Sequence, residues 1–265
     1  MDLHLDFTGK VAIVTGAASG MGFCIAKAFA ESGAMVAMMD INQEALLAKT
    51  ETVHGTTYPL VCDVTSYAET QAAVKKVYDQ FGRIDFLINT AGGYARRMRQ
   101  VPPMDMLDVP MEIFEWGIDL NLMGPIYMTF SALRYMKEHT GGCVINFGSV
   151  TGYEGDELGI DYPVAKSALM GGFTKSIALY GAPYGIRCCC VSPGPIMTRP
   201  GMADMTTLLK KPGQPEDVMH MVLYLCSEYG SFITGTNYFI DGGRVILQNK
   251  TSGGNTDYDI TQQKY

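Results

Sequence analysis

The chain has 265 residues, of which 47% are hydrophobic and 18% charged, and it carries a formal net charge of −7. That length and apolar content suffice to fill a sizeable α/β core and exclude a largely disordered chain. The acidic balance argues against nucleic acid or an anionic membrane surface as partner, and no apolar run of about 18 residues offers a membrane span.

Residues 1–6 lack the basic start and apolar run of a secretory signal, so a cytoplasmic location is expected. Short runs at 11–15, 35–40, 58–63, 84–89, 144–147, 186–191 and 238–241 read as buried strands, because they are near-continuously apolar rather than alternating. Amphipathic stretches at 22–31, 68–81, 112–139, 164–180 and 216–227 fall between them and read as helices. This alternation predicts an α/β, Rossmann-type, doubly wound parallel sheet of about seven strands with helices on both faces. Residues 93–110, rich in Arg, Met and Pro, read as an irregular loop. No repeat or linker divides the chain. Residues 1–248 are expected to form one dinucleotide-binding and catalytic domain, and 249–265 a polar tail.

Seven cysteines, an odd number with no C-x-x-C pair, argue against a disulfide framework. Cys188, Cys189 and Cys190 are consecutive within a strand-like run. Their side chains must alternate between faces, so no metal site is expected there, and they read as small buried hydrophobes in a reducing compartment.

Residues 15–22 (TGAASGMG) follow the first strand and open the first helix. Gly16, Gly20 and Gly22 permit a tight turn and close approach to a pyrophosphate, which the helix N-terminus attracts. The second strand ends at Asp40, where a carboxylate accepts hydrogen bonds from an adenosine ribose and repels a 2′-phosphate. No Arg or Lys lies beside it, which points to NAD(H) over NADP(H). The plainer alternative makes Asp40 the cap of a helix beginning near Asn42.

Tyr162 and Lys166 stand four apart, on one face of a helix. An ammonium nearby favours the phenolate, as a general base for an alcohol proton requires. Ser149 follows the strand at 144–147, where a hydroxyl can hold the reacting oxygen or simply form a turn.

With Asp63, residues 89–92 (NTAG), Asn121 and Pro193-Gly194 in the same order, the chain resembles the short-chain dehydrogenase/reductase family, of its compact cytosolic type, from about Lys10 to Gly243. The resemblance implies oxidation of a secondary alcohol, or reduction of a ketone, by hydride transfer with NAD(H). It makes Tyr162 the acid/base, Lys166 its pKa tuner and ribose holder, Ser149 the orienter of the substrate oxygen, and Asn121 the anchor of a water in a proton relay. Gly16, Ser19, Gly20, Met21, Gly22, Asp40, Ile41, Asp63, Val64, Asn89, Ala91 and Gly92 would bind the cofactor. Pro193, Gly194, Ile196 and Thr198 would frame its nicotinamide. Pro163 directly after Tyr162 means that the helix either starts there or is kinked.

For the substrate the residues pull three ways. Met98, Met104, Met106, Met111, Met197, Met202 and Met205 suit a bulky apolar alcohol such as a hydroxysteroid or bile acid. Arg96, Arg97 and Arg99 suit a carboxylate or form a solvated surface cluster. Glu154, Asp156, Glu157 and Asp161 repel anions and suit a polyol or sugar alcohol. A ketoacyl-type carbonyl reductase and a dinucleotide-binding regulator without turnover are the competing readings. The resemblance also implies a homo-oligomer, a tetramer or dimer, built on the helices at 112–139 and 164–180.

Overall fold

The computed structural model describes residues 5–139, 141–203 and 205–248; the polar tail expected at 249–265 lies outside them. Seven strands form one sheet: β1 (Val11–Thr15), β2 (Met35–Asp40), β3 (Thr56–Val61), β4 (Phe86–Asn89), β5 (Gly142–Phe147), β6 (Ile186–Pro193) and β7 (Asn237–Ile240). Their order is β3-β2-β1-β4-β5-β6-β7, and every pair is parallel. Order reverses between β1 and β4, where Val14 sits beside both Met38 of β2 and Ile88 of β4. In open α/β sheets a crevice forms outside the carboxyl ends of the strands at such a reversal.

Both faces of the sheet are covered. On one, α1 (Gly20–Glu31) and α10 (Pro215–Cys226) bury Ile25, Phe29, Val218 and Val222 against Val14, Ile88, Ile145 and Val191. On the other, α3 (Tyr67–Phe81), α6 (Gly124–Met136) and α9 (Thr174–Gly181) bury Val74, Val77, Met128, Met136 and Ile177 against Ile13, Leu87, Val144 and Cys188. Adjacent strand residues thus serve opposite cores, which is why the strand runs are continuously apolar.

A helix does begin beside Asn42: α2 (Gln43–Thr50) buries only Leu46 and so carries little hydrophobic periodicity. Other elements depart from expectation. Residues 93–110 include α4 (Ala95–Met98) and a 3-10 turn at Met106–Asp108. The expected helix at 112–139 is α5 (Met111–Ile118) and α6 with a π turn between them at Asp119–Met123. The one at 164–180 is α8 (Asp161–Ala168), a π turn at Leu169–Phe173, then α9. Side chains satisfy carbonyls freed at these widened turns. Asn121 Nδ2 donates to Gly117 O at 3.0 Å, and Thr174 Oγ1 to Leu169 O at 2.6 Å. Because α8 begins at Asp161, Pro163 sits in the first turn, where its missing N–H costs nothing. Two short helices complete the chain, α7 (Thr151–Glu154) and α11 (Arg244–Gln248).

Candidate active site

The crevice at the strand ends is a cleft of about 650 Å³, running from the glycine turn past Asp40 and Asp63 to Tyr162 and Thr198. It continues into an inner cavity of about 260 Å³ bounded by Ser149, Tyr162, Lys166, Pro193, Met202 and Met205.

The glycine turn is shaped to receive a diphosphate. Gly16 and Gly20 hold φ of +65° and +52°, in the left-handed region. A Cβ on Gly22 would collide with the carbonyl oxygen of Gly16, so only glycine lets α1 start this close to β1. The N-cap Ser19 makes no side-chain cap bond and the first turn of α1 holds no acid, which leaves the N–H groups of this twelve-residue helix to a ligand. Thr15 Oγ1 accepts from the N–H groups of Thr90 and Ala91 at 3.1 and 3.0 Å and pins the exit of β4 against the turn.

Asp40 is oriented rather than used as a helix cap. Its Oδ2 accepts from Ala18 N at 3.1 Å and its Oδ1 from Asn42 N at 2.9 Å, while the cap of α2 is Asn42, which accepts from Ala45 N at 3.0 Å. Asp63 accepts from Thr65 N and Oγ1 in a local turn, with Val64 beside it.

Ser149 leaves β5 on a turn tied to β6. Gly148 N donates to Val191 O at 2.9 Å and Val150 N to Pro193 O at 3.1 Å. The Ser149 hydroxyl accepts from Thr151 N at 3.1 Å and borders the inner cavity together with Tyr162, on the first turn of α8. Lys166, one turn on and buried, donates from Nζ to Phe147 O at 2.9 Å and sits 5.5 Å from the centre of the Tyr162 ring. Burial lowers its ammonium to about 8. Burial also raises the Tyr162 phenol; the Ser149 hydroxyl and the charges of Arg199 and Arg97 pull it back.

Most of the expected residues border the cleft or cavity: Gly16, Ser19, Gly20, Met21, Gly22, Asp40, Ile41, Asp63, Val64, Ala91, Gly92, Ser149, Tyr162, Lys166, Pro193, Gly194, Ile196 and Thr198. Two do not. Asn89 donates to Thr129 Oγ1 and Asn146 Oδ1 at 3.0 Å each, while its buried Oδ1 has no hydrogen-bond partner among the described residues. Asn121 is fully buried behind Gly93. Its Oδ1 accepts from Gly93 N at 2.9 Å and its Nδ2 donates to Gly93 O at 2.8 Å. Pro125 has no N–H, so the backbone carbonyl of Asn121 lacks its ordinary α-helical donor. Gly92 is the spacer between Asn121 and Lys166: a Cβ there would lie 2.7 Å from Asn121 Oδ1 and 3.3 Å from Lys166 Nζ.

Of the substrate signals, Met202 and Met205 border the inner cavity and Met98 the outer cleft, whereas Met104, Met106, Met111 and Met197 border neither. Glu154 is held by Arg244 at 3.1 Å, and Asp156 accepts from the Tyr94 hydroxyl at 2.7 Å. Sequence reasoning missed Thr15, Thr90, Tyr94 and Arg199; their types are ordinary loop and strand residues, and only the folded juxtaposition singles them out. No group of three or more His, Cys, Asp or Glu side chains is arranged to hold a metal ion among the described residues.

Residues 16–244 match the family model described as enoyl-(acyl carrier protein) reductase. The chain is 35% identical over 252 residues to a 3-oxoacyl-(acyl-carrier-protein) reductase of Thermotoga maritima, covering 90% of this chain and 98% of that one. It is 32% identical over 268 residues to an L-fucose dehydrogenase of Bos taurus, covering 96% of each. Among solved structures, a short-chain glucose/ribitol dehydrogenase from Brucella melitensis superposes with a TM-score of 0.83 at 28% identity, over 91% of this chain and 99% of that one. With this fold, this cleft and these relatives, the chain belongs to the short-chain dehydrogenase/reductase family.

Proposed function

We propose that the protein interconverts a secondary alcohol and a ketone with NAD(H), using Tyr162 as the acid/base. The observation that carries this reading is the meeting of Ser149, Tyr162 and Lys166 in a cavity continuous with the glycine turn. A bound nicotinamide supplies or takes up the hydride. The α1 N-terminus with Gly16, Ser19, Gly20, Met21 and Gly22 holds its diphosphate, and Asp40 with Ile41 its adenosine ribose. Asp63, Val64, Ala91 and Gly92 border the adenine side, and Pro193, Gly194, Ile196 and Thr198 the nicotinamide side. The preference for NAD(H) rests on the Asp40 carboxylate, which Ala18 N and Asn42 N aim along the cleft and which opposes a 2′-phosphate.

In oxidation, Ser149 donates to or accepts from the substrate oxygen, Tyr162 removes its proton, and Lys166 holds positive charge beside the phenolate. The backbone carbonyl of Asn121, whose i+4 neighbour is the donor-less Pro125, supports a water that passes the proton onward. In reduction the same phenol donates. Burial raises the Tyr162 phenol, which favours its protonated, donating form.

The reading extends to assembly and location. Phe130 on α6 and Val164, Leu179 and Tyr180 on α8 and α9 are apolar and exposed, which supports a homo-oligomer through these helices. All seven cysteines are free thiols, which fits a reducing cytoplasm.

The test is nicotinamide absorbance with NADH or NADPH against a panel of ketones, and with NAD⁺ or NADP⁺ against their alcohols, for the parent protein and Tyr162→Phe. Turnover with NADH, abolished in Tyr162→Phe while NADH still binds, is the expected result. Turnover that survives Tyr162→Phe would remove the proposed acid/base. Cofactor binding without turnover on any member would favour a regulatory role.

A further inference from the structure

Two arginines face the reacting end of the cleft from opposite lips: Arg97 on α4, and Arg199 in the segment after β6. Both border the cleft and the inner cavity. Both charges act on the Tyr162 phenol, and Arg97 also bears on Arg199. Neither guanidinium has a hydrogen bond or ion pair with another side chain or backbone group among the described residues.

Every neighbouring arginine is occupied. Arg96 donates to Leu158 O at 2.7 Å and Met104 O at 3.0 Å, Arg99 lies 4.1 Å over the Trp116 ring, and Arg244 pairs with Glu154. Of the four acids that sequence reasoning set against an anion, Glu154 is paired with Arg244, Asp161 is buried, and Glu157 is exposed and borders neither the cleft nor the cavity; Asp156 borders the inner cavity but is held by the Tyr94 hydroxyl and the Leu158 and Gly159 amides.

Both arginines are exposed, so water meets their like charges in the open cleft, and an anion placed between them would take the place of that water. A diphosphate at the α1 N-terminus already has its own donors, so these two charges belong to the substrate side. Planar guanidinium forks match a carboxylate. Resting on the oxidoreductase reading above, we infer that the substrate is an anionic alcohol or ketone, a hydroxy or oxo acid. Its carboxylate lies between Arg97 and Arg199 while its reacting carbon stands at Ser149 and Tyr162.

The experiment compares a series of oxo acids of increasing chain length with their neutral methyl esters, in the NADH-loaded protein. Binding is read by the fluorescence of bound NADH and turnover by its absorbance, for the parent, Arg97→Met, Arg199→Met and Arg199→Lys. At least one acid should bind and turn over about tenfold or more better than its ester, and each Met variant should cut that acid-to-ester ratio by about tenfold. Arg199→Lys, which keeps charge but loses the fork, should restore part of it. The ratio cancels any change in the Tyr162 phenol, since acid and ester share it.

Equal binding of acids and esters, no saturable binding of any acid, or a preference that outlasts both substitutions would overturn the inference. So would a loss confined to NADH affinity in Arg199→Met, which would assign that arginine to the cofactor. Failure of every ketone to turn over while an acid still binds through the two arginines would instead sink the oxidoreductase reading.

Discussion

The carboxamide of Asn121 grips the backbone of Gly93 at two points, accepting from its N–H at 2.9 Å and donating to its carbonyl at 2.8 Å. A third bond, to Gly117 O, holds the amide to its own helix. The π turn at Asp119–Met123 is what aims it outward from the helix at the loop that carries Arg97. Asn121→Ala removes all three bonds and strands buried polar groups, each costing about 1–3 kcal/mol. The expected outcome is a lower unfolding midpoint in urea together with at least about a tenfold loss of kcat/KM. Full activity in a protein of parental stability would show that the loop needs no such anchor.

The Tyr162 phenol is raised by burial and pulled down by Ser149, Arg199 and Arg97. Alcohol oxidation needs the deprotonated form, so its rate should climb toward alkaline pH. Ketone reduction needs the protonated form and should decline there. Arg199→Met removes one of the lowering charges, so the oxidation limb should move to higher pH. A pH–rate profile of kcat for both directions checks the sign; movement to lower pH would contradict it.

Cofactor choice should follow the end of β2. Asp40→Ser with Ile41→Arg replaces a carboxylate oriented by Ala18 N and Asn42 N with a hydroxyl and a cation. The ratio of kcat/KM for NADH over NADPH should fall by about a hundredfold, since hydrogen bonds to a charged group and an added Arg–phosphate pair both change. An unchanged ratio would mean that Asp40 does not select the cofactor.

How far the sequence carries the reader depends on which physical signal each residue leaves. Strands covered on both faces leave continuous apolar runs, and the glycine turn with Asp40 at its expected distance leaves a pattern that folding does not alter. Asn89 shows the limit: alternation along β4 turns its amide toward Asn146 and Thr129, a direction its neighbours in sequence do not reveal. The π turns hide for a related reason, since one extra residue in a turn barely disturbs a helical period. Of α2 only the start near Asn42 is legible, because only Leu46 of its eight residues is buried. Arg97 and Arg199, far apart in the chain, acquire meaning only when α4 and the segment after β6 fold over one cavity.

The ion pair between Arg244 and Glu154 ties the carboxyl-terminal helix α11 to α7, the turn that follows Ser149. Their side chains are 15% and 10% exposed, Nε and Oε1 are 3.1 Å apart, and Arg244 also reaches Thr206 O at 3.4 Å. Thr206 belongs to the loop above the inner cavity, where Leu209 N also donates to Gly242 O at 3.1 Å. Glu154→Leu leaves the guanidinium half-enclosed without a partner, which costs up to about 3 kcal/mol for a pair this enclosed. At this chain length that lowers Tm by about 6–10 °C. Removing both charges, in Glu154→Leu with Arg244→Met, should recover part of the lost stability, because the desolvated charge goes with its partner. Substrate KM should stay raised in the double variant, since the loop has lost its tether whichever charge remains. Melting curves and KM measured on the same three proteins separate the two effects: equal Tm in single and double variants would mean that the pair contributes nothing by being buried, and a parental KM in the double variant would mean that the loop is held by its own backbone bonds.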